Sequence, residues 1–255
     1  MLPTERHARI LDAVRLARVV STEELALQLD VSAETVRRDL VLLESAGRLT
    51  RVHGGAVTAG PDASSEEAAF SERSTEHRPA KEAIGRAAAA LVVPGQTIVI
   101  DVGTTALEVA RALPGTFRGV VATCSLLVAA ELAGRTGVEV LVSGGRVRAG
   151  DLACSNHQAA AFFAGLHADV AFLGSGGLDV AAGLTDYHLD EVATRRVMIA
   201  NATRSFALTD TSKIGRLAPH TVCGVADLAG IVAEKALPAA VCKAVERGGG
   251  TVVTP

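Results

Sequence analysis

The chain has no tryptophan, one tyrosine and six phenylalanines among its 255 residues. That excludes a core built on large aromatic rings. The abundance of Ala, Val, Leu and Gly instead suits helices packed on a buried parallel sheet. Positive charge is also missing in bulk. The formal net charge is −3, which argues against a generally basic coat for nucleic acid, so any DNA contact must be local. The four cysteines, Cys124, Cys154, Cys223 and Cys242, are widely spaced and form no C-x-x-C pair. They read as free thiols of a reducing compartment rather than a disulfide framework or a metal cluster. No run of about 18 uninterrupted apolar residues occurs, so no membrane span is expected. The first residues lack an apolar signal core and carry charge at once. These absences together predict a soluble, cytoplasmic protein.

What is present is 49 % apolar, enough for a real core and too much for disorder. The length suits one large domain or a small one joined to a medium one, and no repeat with a period of roughly 20–50 residues stands out. Near the start, Ile10, Val14 and Ala17 share one face of a predicted helix over 4–17. Ser21 and Glu24 have capping-box spacing and open a short helix carrying Leu25 and Leu29, which closes near Asp30. Ser32 then stands at an N-cap position. Val36, Leu40 and Leu43 recur behind it at i, i+4, i+7, and Gly47 suits a left-handed C-cap. Thr35, Arg37 and Arg38 fall mainly off that stripe. Taken alone, this helix reads equally as a surface helix with solvated arginines or as a major-groove reader, its guanidinium forks on phosphate or guanine.

The flanking sequence favours the reader. A leading helix, a short capped helix, a tight turn and a second capped helix make a helix-turn-helix pattern. Residues 48–57 alternate and turn on Gly54-Gly55, as a β-hairpin wing would. Arg and Lys only balance Asp and Glu over 1–57, but Arg37, Arg38, Arg48 and Arg51 gather on the parts that would touch DNA. The expected DNA-contacting set is Ser32, Glu34, Thr35, Arg37, Arg38, Arg48, Arg51 and His53. The ungapped run from Glu5-Arg6 through Thr35-Val36-Arg37-Arg38-Asp39-Leu40 to Arg51-Val52-His53-Gly54-Gly55-Ala56 resembles the DNA-binding half of the DeoR family of bacterial transcriptional repressors.

Residues 58–79 are polar and turn-rich around Gly60-Pro61 and read as a linker. Phe70 and Arg73 match an F-x-x-R pattern at the linker end of the same family, and Pro79 is expected to interrupt the chain beyond them. After a helix over 81–92, predicted strands at 97–101, 119–122, 138–142, 169–173, 205–208 and 251–253 alternate with helices. That alternation implies a mostly parallel α/β sheet covered on both faces over residues 80–255. Ligands bind such sheets beyond the strands' carboxyl ends. There Asp101-Val102-Gly103-Thr104-Thr105 would cradle a phosphate with free helix-start N–H groups and hydroxyls, and Asp101 would accept from sugar hydroxyls. A tight capped turn with no ligand is the alternative. Thr123-Cys124-Ser125, Gly144-Gly145 and Gly174-Ser175-Gly176-Gly177 converge on the same rim as further strand exits. The glycines do not form G-x-G-x-x-G, so no dinucleotide is proposed. Lys213, after the strand near 208, reads either as a phosphate partner or as a surface Lys paired with Asp210. For Asp186, Asp190, Glu191, Arg195 and Arg196, helix-face ion pairs are the expectation, with Glu191 able to reach the pocket mouth. His157 and His188 have no third ligand nearby in sequence, so neither a metal nor a cofactor is expected.

The D-x-G-T-T, T-C-S, G-G-R, A-F-L-G-S-G-G-L-D, G-L-T-D and D-T-S-K motifs appear in order, as in the DeoR-type sensor domain, which is related to ribose-phosphate isomerases. By position, the resemblance implies effector contacts at Asp101, Gly103, Thr104, Thr105, Ser125, Gly145, Gly176 and Lys213. It also implies a phosphorylated sugar or related effector. Cys124, Asn156 and His188 depart from the family pattern and would reshape the pocket. The leading expectation is a repressor that binds operator DNA as a homodimer or homotetramer and is released by that effector. The competing expectation is a sugar-phosphate isomerase with a DNA-binding appendage. Isomerisation needs a general base over the substrate, and no spacing of Asp101, Glu191 and Lys213 demands one.

Overall fold

The structure is a computed structural model that describes residues 3–17, 19–45, 49–52, 54–58 and 67–255. The chain divides into two compact units, Met1–Ala63 and Ser64–Pro255. In the first, α1 (Pro3–Ala17), β1 (Val19–Ser21), α2 (Thr22–Leu29), α3 (Ala33–Ser45), β2 (Leu49–Val52) and β3 (Gly55–Thr58) follow in order. The predicted stripes meet in one core. Ile10 and Val14 of α1, Leu25 and Leu29 of α2, and Val36, Leu40 and Leu43 of α3 are buried together.

Local chemistry sets the helix ends. Ser21 Oγ accepts from the Glu24 amide at 3.1 Å, while the Glu24 carboxylate accepts from the Ser21 amide at 3.0 Å, satisfying two otherwise unpaired donors. Ser32 Oγ accepts from the Thr35 amide at 3.2 Å and so opens α3. The expected Gly47 cap lies outside the described residues. The hairpin β2–β3 gains a third antiparallel strand, β1, in the order β1–β3–β2. At three residues, β1 is too short for alternation to announce it. Asp39 is buried and ties α3 back to α1, receiving Arg6 Nε at 2.5 Å and lying 2.9 Å from His7 Nε2.

The second unit begins inside the stretch expected to be linker. It opens with α4 (Phe70–Thr75) and α5 (Arg78–Ala89). Phe70 packs against the core, and Arg73 pairs with Glu67 at 2.9 Å. A polar composition hid one short helix, because two residues suffice to anchor it. Pro79 does not interrupt the chain: it stands in the first turn of α5, where its missing N–H has no intrahelical bond to lose.

Next come β4 (Thr97–Ile100), α6 (Thr104–Ala112), β5 (Gly119–Thr123), α7 (Leu126–Leu132), β6 (Val138–Val142), α8 (His157–Ala164) and β7 (Ala168–Leu173). The chain continues through β8 (Gly177–Asp179), β9 (Gly183–Asp186), α9 (Leu189–Ala200), β10 (Ala202–Leu208), β11 (His220–Cys223), β12 (Gly230–Val232), α10 (Ala239–Arg247) and β13 (Thr251–Val253). Among the described residues a seven-stranded sheet has the order β13–β12–β10–β7–β4–β5–β6, with every pairing parallel. A separate antiparallel sheet, β11–β9–β8, was not visible in the alternation. Strand period two explains the two cores. Ile98, Ile100, Val170, Phe172, Phe206 and Leu208 pack with Ile84, Val109 and Val128 of α5, α6 and α7. Their neighbours Val99, Ala171, Leu173 and Ala207 face the other way, onto Phe163 of α8 and Val192 and Met198 of α9.

Candidate functional site

The strand order reverses at β4, with β5 and β6 on one side and β7, β10, β12 and β13 on the other. Loops leaving β4 and β7 in opposite directions open a crevice at the strands' carboxyl ends. A narrow cleft lies there, lined by Gly103, Thr104 and Thr105 at the start of α6, by Gly174 and Ser175 after β7, and by Lys213. Glu67, Arg73, Asp151, Asp186, Glu191 and Arg195 complete much of its wall. Gly103 precedes α6 with φ of 122°, a left-handed conformation that disfavours any side chain. The first-turn amides of α6 have no intrahelical acceptor.

Lys213 ends a short 3-10 turn, and its Nζ donates to the Ser175 carbonyl. Burial pushes its amine down to about 8, against the pull of Asp210. Asp210 does not hold the ammonium by a hydrogen bond. Its carboxylate accepts from the Ser212 amide at 3.0 Å and caps the turn.

The expected helix-face ion pair of Glu191 and Arg195 is present on α9, but it is buried and wider than the spacing showed. Arg195 is 3 % exposed. Its Nε donates to Asp101 Oδ2 at 2.5 Å, its Nη2 to Glu191 Oε2 at 2.9 Å, and its Nη1 pairs with Asp186. Asp101 Oδ2 also accepts from the Gly174 amide at 2.9 Å, clamping the β4 and β7 loops together. Asp101 is therefore a buried strut and not a free acceptor for sugar hydroxyls. Arg148 donates to Asp151 and pairs with Glu191, extending the network. Burial opposes the Arg195 charge, but Asp101, Asp186 and Glu191 outweigh it and raise its pKa. For Asp186 the same Arg195 overcomes burial and lowers the carboxyl. Glu191 goes the other way. Burial, reinforced by Asp186 and Asp101, pushes it up to about 8 despite Arg195 and Arg148.

A raised carboxyl means that the folded protein holds a proton which the unfolded chain has released above its own pKa near 4.5. The contribution of Glu191 to stability is therefore present at low pH and is lost as pH climbs toward 8. Glu191→Gln is expected to gain stability relative to the wild type between pH 5 and pH 8. Urea midpoints of both proteins at the two pH values measure this, and a constant difference would refute it.

The other expected effector residues are placed differently. Ser125 is buried at the start of α7, its Oγ accepting from the Val128 amide at 3.2 Å. Gly145 lies outside the cleft lining, against the Asn156 and Gln158 side chains. Gly176 is tightly packed, a Cβ there standing 3.0 Å from the Thr185 carbonyl oxygen. Gly174 and Ser175 take the rim position expected of Gly176. Of the three departures, Cys124 is buried beside Asp101, with Sγ 3.6 Å from Oδ1. Burial, with Asp101 adding to it, raises its thiol pKa well above the usual value. Asn156 caps α8, and His188 Nε2 lies 3.4 Å from Glu67. No group of three or more His, Cys, Asp or Glu suited to a metal occurs among the described residues. Nor is any helix among them long and apolar enough to cross a membrane.

In the first unit, Glu34, Arg37 and Arg38 are exposed on α3, opposite its buried stripe. Glu34 lies 3.6 Å from Arg37 and 3.4 Å from Arg38. The Ser32 and Thr35 hydroxyls are 2.9 Å apart. Arg51, exposed on β2, donates its amide to Glu44 of α3 at 2.9 Å, fastening the wing to that helix. Arg48 and His53 lie outside the described residues.

A family model described as a DeoR-like helix-turn-helix domain matches residues 6–61, and one described as the DeoR C terminal sensor domain matches residues 76–235. The HTH-type transcriptional regulator GolR of Listeria innocua is 34 % identical over 87 % of each chain. The putative aga operon transcriptional repressor of Escherichia coli O157:H7 is 29 % identical over 98 % of this chain and 93 % of its own. The glycerol-3-phosphate regulon repressor of Escherichia coli K12 is 33 % identical over 85 % and 84 %. These relatives carry the names of transcriptional regulators, and they match across both units. The chain belongs to the DeoR family of helix-turn-helix transcriptional regulators.

Proposed function

We propose that this regulator represses transcription by binding operator DNA as a homodimer or homotetramer, and that an anionic, phosphorylated sugar or related metabolite in the second unit releases it. The labour divides along the chain, with residues 1–57 for DNA, the stretch expected as a 58–79 linker connecting only as far as the second unit's start near Ser64, and that unit, which includes the expected 80–255 domain, for sensing. The observation that carries the sensing role is the meeting, at one crevice, of the α6 start, Thr104, Thr105 and the Lys213 side chain. A helix N-terminus offers unpaired N–H groups and a favourable field to an anion. A partly desolvated ammonium adds a full charge where screening is weak. The repressor role follows the names of the relatives, one of which is a glycerol-3-phosphate regulon repressor, so glycerol 3-phosphate is the first probe.

For release, the effector must prefer the DNA-incompetent state, and a coupling of about 1–3 kcal/mol would change operator affinity roughly 5–150-fold. Thermal shift against glycerol 3-phosphate and a panel of pentose and hexose phosphates tests the pocket. A ligand at 100 times its Kd stabilises the folded state by roughly 2.7 kcal/mol. Lys213→Ala is expected to lose that stabilisation while binding DNA as the wild type does. A variant that shifts like the wild type would show that the effector binds elsewhere.

A further inference from the structure

We propose that Glu67 is a built-in stand-in for the anionic group of the effector: its carboxylate sits on the cations at the cleft mouth, and an incoming anion must displace it, releasing the chain that leads into α4. The inference rests on the reading of this cleft as the effector site. Glu67 lines the cleft, and its side chain is only 15 % exposed. The carboxylate lies 2.9 Å from Arg73 Nη1 and 3.4 Å from His188 Nε2, and its charge also bears on Lys213. The other carboxylates of the wall have other principal cations. Asp186 and Glu191 are held by Arg195; Asp151 is held by Arg148 and reaches Arg73 only at 3.9 Å. Glu67, at 2.9 Å from Arg73, is thus the acid closest to the outer cation an effector anion would need.

Its partner is anchored without it. Arg73 Nε donates to the Ala68 carbonyl at 2.9 Å, and the guanidinium stands over the Phe70 ring at 5.8 Å from its centroid. Arg73 can therefore keep its place when the Glu67 carboxylate leaves. Two anions on one cationic mouth repel in a partly desolvated site, so occupancy by Glu67 and by a phosphate are mutually exclusive. That exclusivity is what a switch needs, because a ligand shifts an equilibrium only by its differential affinity for two states. Glu67 directly follows residues 59–66, which join β3 to the second unit in sequence. Its release thus acts on the segment through which sensing has to reach the DNA-binding unit.

The test uses the full chain, with inorganic phosphate and glycerol 3-phosphate as probes at matched ionic strength. Calorimetric titration is expected to show Glu67→Gln binding both probes about tenfold more tightly than the wild type. Glu67→Ala should behave alike, which rules out a new bond from the amide. Hydrogen exchange over residues 68–76 should quicken when the wild type is saturated with phosphate, and should already be fast in Glu67→Gln without it. Unchanged or weaker binding by both variants, or slower exchange on adding phosphate, overturns the proposal. Lys213→Ala separates the two readings. If it abolishes binding while the Glu67 variants match the wild type, the cleft stands and the gate falls. If it binds normally, or if no protein binds either probe, both fall.

Discussion

Replacing Arg37 and Arg38 together by alanine is expected to lower operator affinity by roughly 30-fold to 10⁴-fold, because two good contacts of about 1–3 kcal/mol each are lost. Both side chains are solvent-exposed on α3, at 56 % and 78 %. Their ion pairs with Glu34, at 3.6 and 3.4 Å, are of the surface kind worth about 0–1 kcal/mol. The buried stripe of Val36, Leu40 and Leu43 does not involve them. Thermal stability and the response to glycerol 3-phosphate should therefore hold. Duplexes selected from random DNA by the wild type supply the operator for gel-shift titration across a range of salt. If the arginines neutralise phosphates, the slope of log affinity against log salt should flatten by about 0.9 for each contact removed. If they read bases, affinity falls and the slope stays. Unchanged affinity would refute the assignment of α3 as the DNA-reading helix.

Arg195→Met should destabilise the second unit by about 3–5 kcal/mol, the cost of stranding buried carboxylates without their cation. Methionine keeps most of the apolar volume, so the loss reports charge and not packing. Asp101 and Asp186 lose their shared cation at once, and Glu191, whose carboxyl burial has pushed up to about 8, loses a donor. For a unit of this size each kcal/mol moves the midpoint by roughly 2–4 °C, so a fall of about 10 °C is expected in phosphate-free buffer. Adding Asp186→Asn should recover part of it by removing one stranded charge. A variant that melts with the wild type would show that the network contributes no net stability.

The first unit was largely legible because its determinants are local. Ser21 with Glu24, Ser32 with Thr35, and the apolar spacing of α2 and α3 act within one or two helical turns, where sequence neighbours are also spatial neighbours. The Asp39 contacts to Arg6 and His7 span 33 and 32 positions, and nothing in the spacing pointed to them. In the second unit, the glycine- and threonine-rich strand exits were readable as a rim. Which of them line the cleft was not. Ser125, Gly145 and Gly176 share the composition of Gly103 and Ser175, but they serve a helix cap and close packing.

Period, capping and turn chemistry by themselves determined the capped helices, the alternating strands, the parallel sheet class and the family resemblance, since each depends on residues a few positions apart. Only the tertiary structure decided what Arg195 does. It meets Asp101 across 94 positions because β4 and β7 lie side by side at the reversal of strand order. Glu67 reached the cleft in the same way, through the packing of Phe70 on the core. Charge pairs at such separations depend on which strands are neighbours, and strand order is a property of the whole sheet rather than of any segment within it.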